Sequence, residues 1–573
     1  DRLLGGLGGE KVRWQKTVED LEASMINVVG DVIIAAGGIA YLGAFTSVYR
    51  NKQENDWCQN LKTYSIPSTK GAGVRKTLSD AVKIRAWNIA GLPTDAISTE
   101  NAIILSKSRR WSLMIDPQGQ ANKWLKNMYK GSMEVIKLTE KEFLRSLVNA
   151  VRFGKPILLE NVGEELDPSL EPVLAKQTFR QGGSEMIKIG DETIAYHADF
   201  NFFITSRLPN PHYSPEACVK ITLLNFTVNQ SGLEDQILGL VVGKERPDLQ
   251  EAKNQLVVSM ADMRGTQREL EDKILKLLAE SEGDILADEN VIVVLGEAKN
   301  TSNEITLKVA EAEKTEQEID ETREKYRPAA FRGSLLFFCA SDLGLVDSMY
   351  QYSLQWFIAL FDASLDNSAP ADDVAQRCDN INEFFTYSLY KNICRGLFEK
   401  DKLLFSFTLC INLMQGDNRI DPQEWRFLLA GATSPDTALP NPARDWLIDS
   451  SWLDVSDLAK LKTFEDFDQD FTCNVATWRT YFDSPTCYRD VLPGEWNDKL
   501  DLLQKLLVLR CMRQDKMQDG IMAFVTAEMN VKFIEPPAFS LALAFEDSSP
   551  VVPLIFVLSS GVDPTMAWIA FAE

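Results

Sequence analysis

Residues 113–124 have the outline of a phosphate-binding loop, in which an apolar strand is followed by a Gly/Pro turn and a helix. A working Walker A loop, GxxxxGK(S/T), uses glycines for close backbone approach, lysine for the β- and γ-phosphates and a hydroxyl for Mg²⁺. Here Asp116 stands at the first glycine, Asn122 at the lysine and Lys123 at the hydroxyl position. The degenerate loop comprises Asp116, Pro117, Gly119, Ala121, Asn122 and Lys123. Because a carboxylate repels phosphate and an amide supplies no charge, these residues favour a structural turn over a nucleotide site.

A second apolar run, at 157–159, ends where a Walker B motif would place Asp-Glu. In a working motif the aspartate organises Mg²⁺ and the glutamate polarises water. Here Glu160 stands at the metal position and Asn161 at the catalytic position. The two motifs together predict a vestigial site. One alternative stays open, a module that still binds or hydrolyses ATP through Lys123 and Glu160.

Two further segments lie where nucleotide-binding modules carry polar residues. The predicted strand 200–206 ends at Ser206 and is followed by Asn210, which places it in the slot of a sensor strand, although a single asparagine is more often a turn residue. Near the C-terminus, the strand-like run 551–558 precedes a second degenerate loop. Its residues of interest are Ser560, Gly561, Asp563 and Thr565. The second loop contains no lysine, so it is a weaker nucleotide site than the first.

Other kinds of catalytic or metal site find little support in the sequence. There is no Gly-x-Ser-x-Gly elbow and no HExxH motif, and the two histidines, His197 and His212, are expected in loops. The nine cysteines include no CxxC pair and are typical of reduced thiols. We therefore expect no metal site and no catalytic residue in this chain.

Short apolar runs alternate with helical patterns between residues 77 and 229. Strands are predicted at 112–115, 135–138, 156–160, 186–189 and 200–206, with helices such as 122–130 and 140–153 between them. This alternation is typical of an α/β fold with a largely parallel sheet and helices on its faces.

The first fifty residues carry a continuous heptad pattern. Its apolar positions are Trp14, Val18, Leu21, Met25, Val28, Val32, Ala35, Ile39 and Leu42. Up to Asp31 the other positions are polar, whereas Val32–Phe45 is apolar almost throughout. The pattern predicts a coiled-coil arm that runs into the body of a domain. Since Val32–Phe45 is shorter than the ~20 residues that a bilayer requires, no membrane span is predicted.

A second region of heptad-like spacing lies at 249–326. Its two series, 249–277 and 295–326, are separated by a break at Ser281–Asp284. At 1.5 Å per residue, two arms of about 30 residues would form an antiparallel coiled-coil hairpin roughly 45 Å long. Two ordinary amphipathic helices packed on a core are the alternative, but the flanks, such as AEAEKTEQEIDETREK, are too charged to be enclosed.

Composition narrows the class of protein. The 573 residues include 60 basic and 83 acidic side chains, a net charge of −23, which disfavours binding to nucleic acid or to an anionic membrane surface. At about 150 residues per domain, the length suggests about four units. The chain begins at Asp1 rather than methionine, and we expect it to be an excerpt of a longer protein.

The order of a coiled-coil arm, a βα module with a degenerate loop, a charged hairpin and a second degenerate loop resembles the dynein heavy chain. The resemblance covers nearly the whole chain. It is carried by GDVIIAAGGIAYLGAFTSVYR, RRWSLMIDPQGQANKWLKNM, LLENVGEELDPSLEPVLAKQTF, GLEDQILGLVVGKERPDLQEAK and FIEPPAFSLALAFEDSSPVVPLIFVLSSGVDPT. The sequences of these stretches are similar to those of the axonemal type, which is found in cilia and flagella.

The resemblance implies an AAA+ P-loop NTPase-like module with a coiled-coil hairpin and a helical lid. Residues 1–50 would be the returning stalk helix, and 51–247 the large α/β subdomain of the fifth AAA+ module. Residues 248–326 would be the buttress, or strut, and 327–430 the helical small subdomain. Residues 431–573 would connect to, and begin, the sixth module.

The function implied is that of a structural, force-relay segment in a microtubule motor. ATP or ADP with Mg²⁺ would act in other modules, with no cofactor expected here. Expected partners are the rest of the heavy chain, microtubules through a stalk tip outside this chain, and intermediate and light chains. Localisation would be cytoplasmic and cytoskeletal, in the axoneme of a cilium or flagellum. A coiled-coil adaptor unrelated to AAA+ proteins is the remaining alternative and would require the strand pattern to be illusory.

Overall fold

A computed structural model describes residues 2–280, 289–432, 440–535, 540–546, 548, 553–558 and 561–573. The chain divides into two compact units. The first is Asp1–Ser334 with Ser353–Gln355, and the second is Leu335–Tyr352 with Trp356–Glu573.

The first unit contains strands, short helices and three helices of more than thirty residues. Its strands are β1 (Trp111–Ile115), β2 (Glu134–Lys137), β3 (Ile157–Glu160), β4 (Thr178–Gln181), β5 (Ser184–Ile189), β6 (Glu192–Ala195), β7 (Phe202–Ser206) and β8 (Ile221–Asn225). Its helices are α1 (Arg2–Gly37), α2 (Ser47–Thr63), α3 (Val74–Leu78), α4 (Ala81–Ile89), α5 (Ala96–Lys107), α6 (Gln120–Met128), α7 (Phe143–Phe153), α8 (Glu171–Leu174), α9 (Pro215–Lys220), α10 (Gln230–Glu245), α11 (Pro247–Glu280) and α12 (Glu289–Glu324). The boundary between the units lies in α13 (Arg327–Asp342).

The central sheet has five parallel strands in the order β2-β3-β7-β1-β8. In β1, β3, β7 and β8, alternate residues enter two apolar clusters, one on each face of the sheet, whereas the edge strand β2 contributes only Ile136. On β1, for example, Leu113 packs on one face and Met114 on the other, and on β3 Leu159 and Leu158 divide in the same way. A parallel sheet covered on both faces explains why these strands appear in the sequence as continuous apolar runs. The predicted α/β fold is confirmed.

The predicted strand at 186–189 does not belong to this sheet. It is part of β5, which pairs antiparallel with β4 and β6 in a separate three-stranded sheet. Glycines with positive φ lie in both connections, Gly182 and Gly183 in the first and Gly190 in the second. Tight turns of this kind join antiparallel neighbours, whereas parallel strands need longer crossovers. The fifth strand of the central sheet is instead β8, which the sequence pattern did not predict.

Helix α1 ends in close contact with the module. It continues into a π-helical turn at Gly38–Leu42, after which the backbone of Gly43 accepts a hydrogen bond of 2.8 Å from Asn225 N, at the end of β8. A Cβ at Gly43 would lie 2.3 Å from the carbonyl oxygen of Leu223. The approach therefore requires glycine, and it seats the end of the arm directly on the edge of the sheet.

The apolar part of α1 is longer than the sequence argument assumed. By length and composition alone Ser24–Leu42, 19 residues, is able to cross a membrane, and 28% of this segment is buried in the structure. The expectation that the apolar run is too short for a bilayer is therefore wrong. Within the segment, the Asp31 carboxylate accepts hydrogen bonds from Thr69 N at 2.7 Å and Thr69 Oγ1 at 2.6 Å. These bonds attach Asp31, the polar residue inside the apolar run, to the module.

Helices α11 and α12 lie side by side with opposite directions, since Lys253 near the start of one forms an ion pair with Asp320 near the end of the other. On α12 the buried side chains recur every seventh residue. They are Ile305, Ala312 and Ile319, and Tyr326 continues the series just beyond the helix. This is the spacing of a coiled-coil seam. The break predicted at Ser281–Asp284 lies outside the described residues.

The described part of the second unit is helical. Its helices are α14 (Leu354–Asn367), α15 (Val374–Cys394), α16 (Glu399–Gly416), α17 (Pro422–Ala430), α18 (Asp449–Leu458), α19 (Phe467–Cys473), α20 (Val475–Asp483), α21 (Trp496–Lys499), α22 (Leu502–Met512), α23 (Met517–Glu528), α24 (Leu541–Glu546) and α25 (Thr565–Ala572). Edge-to-face aromatic pairs, such as Phe357 with Phe385 and Phe467 with Trp478, fill its interior. The strand predicted at 551–558 is wrong for residues 553–558, which form no helix or strand, and the remaining two residues lie outside the described range.

Candidate nucleotide-binding site

The first degenerate loop joins the end of β1 to the start of α6. Asp116 N donates to the carbonyl of Ser206 on the neighbouring strand β7 at 2.8 Å, which extends the sheet by one residue. Gly119 adopts a left-handed conformation with φ +77°, and α6 begins at the next residue. The local fold is thus that of a strand, turn and helix, as the sequence predicted.

The carboxylate of Asp116 points back onto the start of α6. Gln120 N donates to one carboxylate oxygen at 2.8 Å, and Asn122 N donates to the other at 3.0 Å. The first N–H groups of a helix have no partner within the helix and attract anions. Asp116 is completely buried. Its carboxylate therefore occupies the position at which this type of turn receives a phosphate.

Burial dominates the electrostatics of Asp116. It raises the pKa of this carboxyl from 3.8 to about 6, against the opposing effect of hydrogen bonds from the backbone of Asn122, Gln120 and Gly119. At neutral pH the group carries its charge with support from the helix terminus.

Asn122 and Lys123, the other substituted positions, diverge in the structure. The side-chain oxygen of Asn122 accepts a hydrogen bond of 2.9 Å from Thr205 Oγ1 on β7, so this residue ties α6 to the sheet. Lys123 is exposed. Ala121 is fully buried in the apolar cluster beneath α6, while Pro117 and Gly119 form the turn. The loop is built as a packed, internally bonded structure.

At the end of β3, Glu160 forms an ion pair of 2.6 Å with Lys126 Nζ. Glu160 is only 8% exposed, so the lysine supplies the positive charge that a metal ion would otherwise provide. Asn161 has φ +57° and begins the loop after the strand. Lys126 lies on α6 and Glu160 on β3, so the sequence offered no local signal for this ion pair.

The sensor-strand residues are only partly brought to the site. Ser206 lies beside the loop, and its hydroxyl donates to the carbonyl of Val162 at 2.7 Å. Asn210 is exposed and lies in a bend of the segment that follows β7. His197 and His212 lie outside helices and strands, as predicted.

The second degenerate loop precedes α25. Ser560 lies outside the described residues. Gly561 has φ +84°, and Asp563 accepts hydrogen bonds from Thr565 N at 3.0 Å and Thr565 Oγ1 at 2.6 Å. These bonds, first that of the Thr565 hydroxyl, lower the pKa of the exposed Asp563 carboxyl.

A cavity of about 800 Å³ lies beside α6, within the first unit. Its walls come from the segment after α4, from Gln120 and Lys123 of α6, and from Lys253 and Arg323 at the base of the α11–α12 hairpin. Buried polar atoms without a hydrogen bond in the described part of the chain include Gln120 Nε2 and Arg323 Nε. Among the described residues, no group of three His, Cys, Asp or Glu side chains is arranged to hold a metal ion.

Two family models match parts of the first unit. Residues 85–305 match a family model described as the ATP-binding dynein motor region, and residues 1–61 match the microtubule-binding stalk of the dynein motor. The whole chain is 51% identical to human dynein axonemal heavy chain 1 and 46% identical to mouse dynein axonemal heavy chain 3. It is 39% identical, over 99% of its length, to the Chlamydomonas reinhardtii dynein-1-beta heavy chain of the flagellar inner arm I1 complex.

The chain spans only 13–14% of the length of these relatives. Within that span, the identity extends from the arm through the sheet, the hairpin and the helical unit. The chain belongs to the dynein heavy chain family and is similar to its axonemal members.

Proposed function

We propose that this segment relays movement between the motor ring and the stalk of an axonemal dynein and does not itself hydrolyse ATP. ATP and Mg²⁺ act in other modules of the parent protein, and microtubules bind at a stalk tip outside this chain. Intermediate and light chains assemble with the parent heavy chain, in the cytoplasm and in the axoneme of a cilium or flagellum.

The arrangement of charges at the loop supports the lack of ATPase activity. Asp116 fills the anion position at α6 and Lys126 neutralises Glu160. A nucleotide phosphate would have to displace a buried carboxylate, and Mg²⁺ would have to displace an ammonium group. Asn161 lacks the carboxylate that polarises the attacking water in working sites of this type.

The stalk arm is fixed to the sheet through Arg50. This guanidinium is 2% exposed and donates to the carbonyl of Gly43 at 2.8 Å and to Asn101 Oδ1 at 2.7 Å, with Glu100 at 3.3 Å. Asn101 in turn donates to the carbonyl of Asn225, at the end of β8, at 2.6 Å. A shift of this edge of the sheet therefore displaces the end of the arm. This network is the observation that carries the proposal.

The hairpin is also anchored to the module, at its base. Arg327 forms ion pairs with Glu234 of α10 at 2.6 Å and with Glu324 at the end of α12. The hydrogen bonds that Arg327 donates, first to Glu324 and then to Glu234, raise the pKa of Arg327, so the cation is held firmly in this position. Further along, Arg85 of α4 lies 3.9 Å from Glu316 of α12. We infer that α4 and α10 transmit movements of the module into the hairpin, which acts as the buttress of the stalk.

The experiment that tests the relay is the Arg50→Met substitution in the heavy chain that carries this segment. Microtubule affinity is measured with and without ATP. We expect the difference between the two states to shrink sharply, because the arm loses the buried side-chain network that joins Gly43 through Arg50 and Asn101 to β8 and keeps only the backbone hydrogen bond from Asn225 N. Arg479→Ala, which removes an exposed guanidinium paired with Asp445 at 3.2 Å, is the matched control and should leave the difference intact. An unchanged difference in a folded Arg50→Met protein would refute the relay.

A further inference from the structure

The arm and the module are joined by one turn of π-helix. Helix α1 continues without interruption through the π-turn Gly38–Leu42, since the flanking residues, Gly37 and Gly43, both have right-handed helical dihedral angles. Hydrogen bonds in a π-turn run from residue i to i+5, so the turn holds one residue more than an α-helical turn. Beyond it, Gly43 is fixed to β8. The π-turn therefore stores one extra residue between the arm and its anchor.

Before the π-turn, the segment Pro67–Thr69, which we call the latch, holds α1 in its present register. The backbone N–H and the hydroxyl of Thr69 donate to the Asp31 carboxylate at 2.7 and 2.6 Å. One residue earlier the helix lies directly against the latch, since a Cβ at Gly30 would be 2.3 Å from the carbonyl oxygen of Pro67. The latch therefore accepts a carboxylate at one helix position and only glycine at the position before it.

A second register of α1 follows from the stored residue. If the π-turn becomes an ordinary α-helical turn while Gly43 stays fixed, every residue before the turn moves along the helix by about 1.5 Å and rotates by about 100°. Val32 then takes the place of Asp31 opposite Thr69. Asp31 in turn takes the place of Gly30, where a side chain collides with the latch. The change of register therefore requires the latch to withdraw.

Consecutive glycines allow α1 to keep its close contact with α2 in both registers. A Cβ at Gly37 would lie 2.8 Å from the ring of Trp57, so this position requires glycine. After a shift by one residue, Gly38 occupies the same position. At the site of Ile34, which is fully buried, Ala35 would leave part of the apolar space empty. The present register is therefore the more stable one while the latch is closed.

We propose that the π-turn Gly38–Leu42 is a register joint, which lets the arm slide by one residue when the latch withdraws. The two registers are discrete because packed side chains fit only at whole-residue positions. This inference deepens the relay function and rests on it for the movement that opens the latch. The Arg50 network holds Gly43 in both registers, so a failure of the joint would leave that network and its test untouched.

The test traps each register with a disulfide in the heavy chain that carries this segment. Every variant contains Cys58→Ser, because the Cys58 thiol packs in the apolar cluster beside α1 and would compete for the introduced cysteines. Thr69→Cys is combined with Asp31→Cys, Val32→Cys or Ile33→Cys, and disulfide formation is followed with and without ATP. The first pair reports the present register and the second pair the shifted one. Ile33, which is 48% exposed against 49% for Val32, provides the matched control.

The expected result is a disulfide at Val32 that the control does not form. We expect the Val32→Cys pair to close at least about tenfold faster than the Ile33→Cys pair in one of the two nucleotide states, since a disulfide requires Cβ atoms about 3.5–4.5 Å apart. A Val32→Cys pair that is no faster than the control in both states overturns the proposal. Trapping at Val32 that exceeds the control equally with and without ATP would support the joint and count against the relay.

Deletion of Ala40, an exposed residue of the π-turn, gives a second readout. It removes the stored residue, so α1 becomes α-helical throughout and keeps its present register. The Asp31→Cys pair should still close, whereas the faster closure of the Val32→Cys pair should be lost. Faster closure that persists in the folded deletion variant overturns the proposal. Should the deletion prevent folding, the comparison of Val32→Cys with Ile33→Cys decides alone.

Discussion

Asp116 and Asp563 each precede a helix and accept hydrogen bonds from the backbone at or near its start, yet their surroundings differ. Asp116 follows a central strand and is completely buried, whereas Asp563 is exposed and follows residues 553–558, which form no strand. The pKa of Asp116 is raised to about 6 by burial, while hydrogen bonds from Thr565 lower the pKa of Asp563. The same short motif therefore becomes an internal ligand only where a sheet encloses it.

The two loops should differ most in the unfolding free energy that is lost when the apolar segment before each loop is weakened. Leu113 on β1 is fully buried, and Leu554 in the apolar run before the second loop is 38% exposed. We expect Leu113→Ala to cost about 2–5 kcal/mol of unfolding free energy, because it leaves a cavity in the sheet core. Leu554→Ala should change the unfolding free energy by less than about 0.5 kcal/mol. Urea unfolding measures both. Equal costs would show that the sheet does not distinguish the loops.

The pH dependence of stability should have opposite signs at the two aspartates. Because the folded-state pKa of Asp116 lies above its ordinary value of 3.8, its protonated form contributes stability that is complete below that pH and is lost as the pH rises through about 6. A shift of this size corresponds to roughly 2–3 kcal/mol. For Asp563, whose pKa is lowered, a smaller contribution is present above the ordinary value and is lost as the pH falls.

The measurement for Asp116 is the unfolding free energy of the wild type minus that of Asp116→Asn, recorded between pH 4 and pH 8. Asparagine does not titrate, so the difference isolates the carboxyl group. It should fall as the pH rises, and a difference that is flat or rises would contradict the burial argument. Asp563→Asn provides the comparison at the exposed loop.

Local sequence predicted the parts of the fold that depend on local pattern. The strands β1, β3 and β7 are apolar because both faces of the sheet are covered, and the substitutions at Asp116 and Asn161 were visible directly. The pairing of strands that lie far apart in the sequence could not be predicted. The alternation in β5 marks a strand with one buried face but not the sheet to which it belongs, and 553–558 has apolar composition without a paired strand in the described residues.

The contacts of the two internal charges, the Asp116 carboxylate and the Lys126 ammonium group, could not be predicted from local sequence either. The sequence predicted that Asp116 would repel phosphate, but not that its carboxylate would bind the start of its own helix. That contact requires β1 to end one residue before Asp116 and Gly119 to adopt positive φ, so that the turn closes on itself. Likewise, the Lys126–Glu160 ion pair requires α6 to cross the end of β3, which only the strand order places there.

A smaller effect is expected when the internal cation is removed. Lys126→Ala leaves Glu160, which is 8% exposed, without its ion-pair partner. Since the Lys126 side chain is 46% exposed and solvent screens the pair, we expect a loss of about 0.5–1 kcal/mol in unfolding free energy. Lys126→Met, which keeps most of the apolar stem, should lose about as much if the charge is responsible. A full rescue by methionine would instead assign the loss to packing.

The last prediction is that the chain shows no ATP binding through Lys123. It tests whether the loop of the first unit is a nucleotide site. If this module bound ATP through Lys123 and Glu160, the 573-residue chain would bind ATP at millimolar concentration, and Lys123→Ala would weaken that binding. We expect neither result, because Asp116 fills the anion position and Lys123 is an exposed residue on the cavity wall. Equilibrium dialysis with labelled ATP measures both proteins. Binding that is lost in Lys123→Ala but kept in Lys130→Ala, an exposed lysine just beyond α6, would establish the nucleotide site and remove the contrast with the second loop, where no lysine is available.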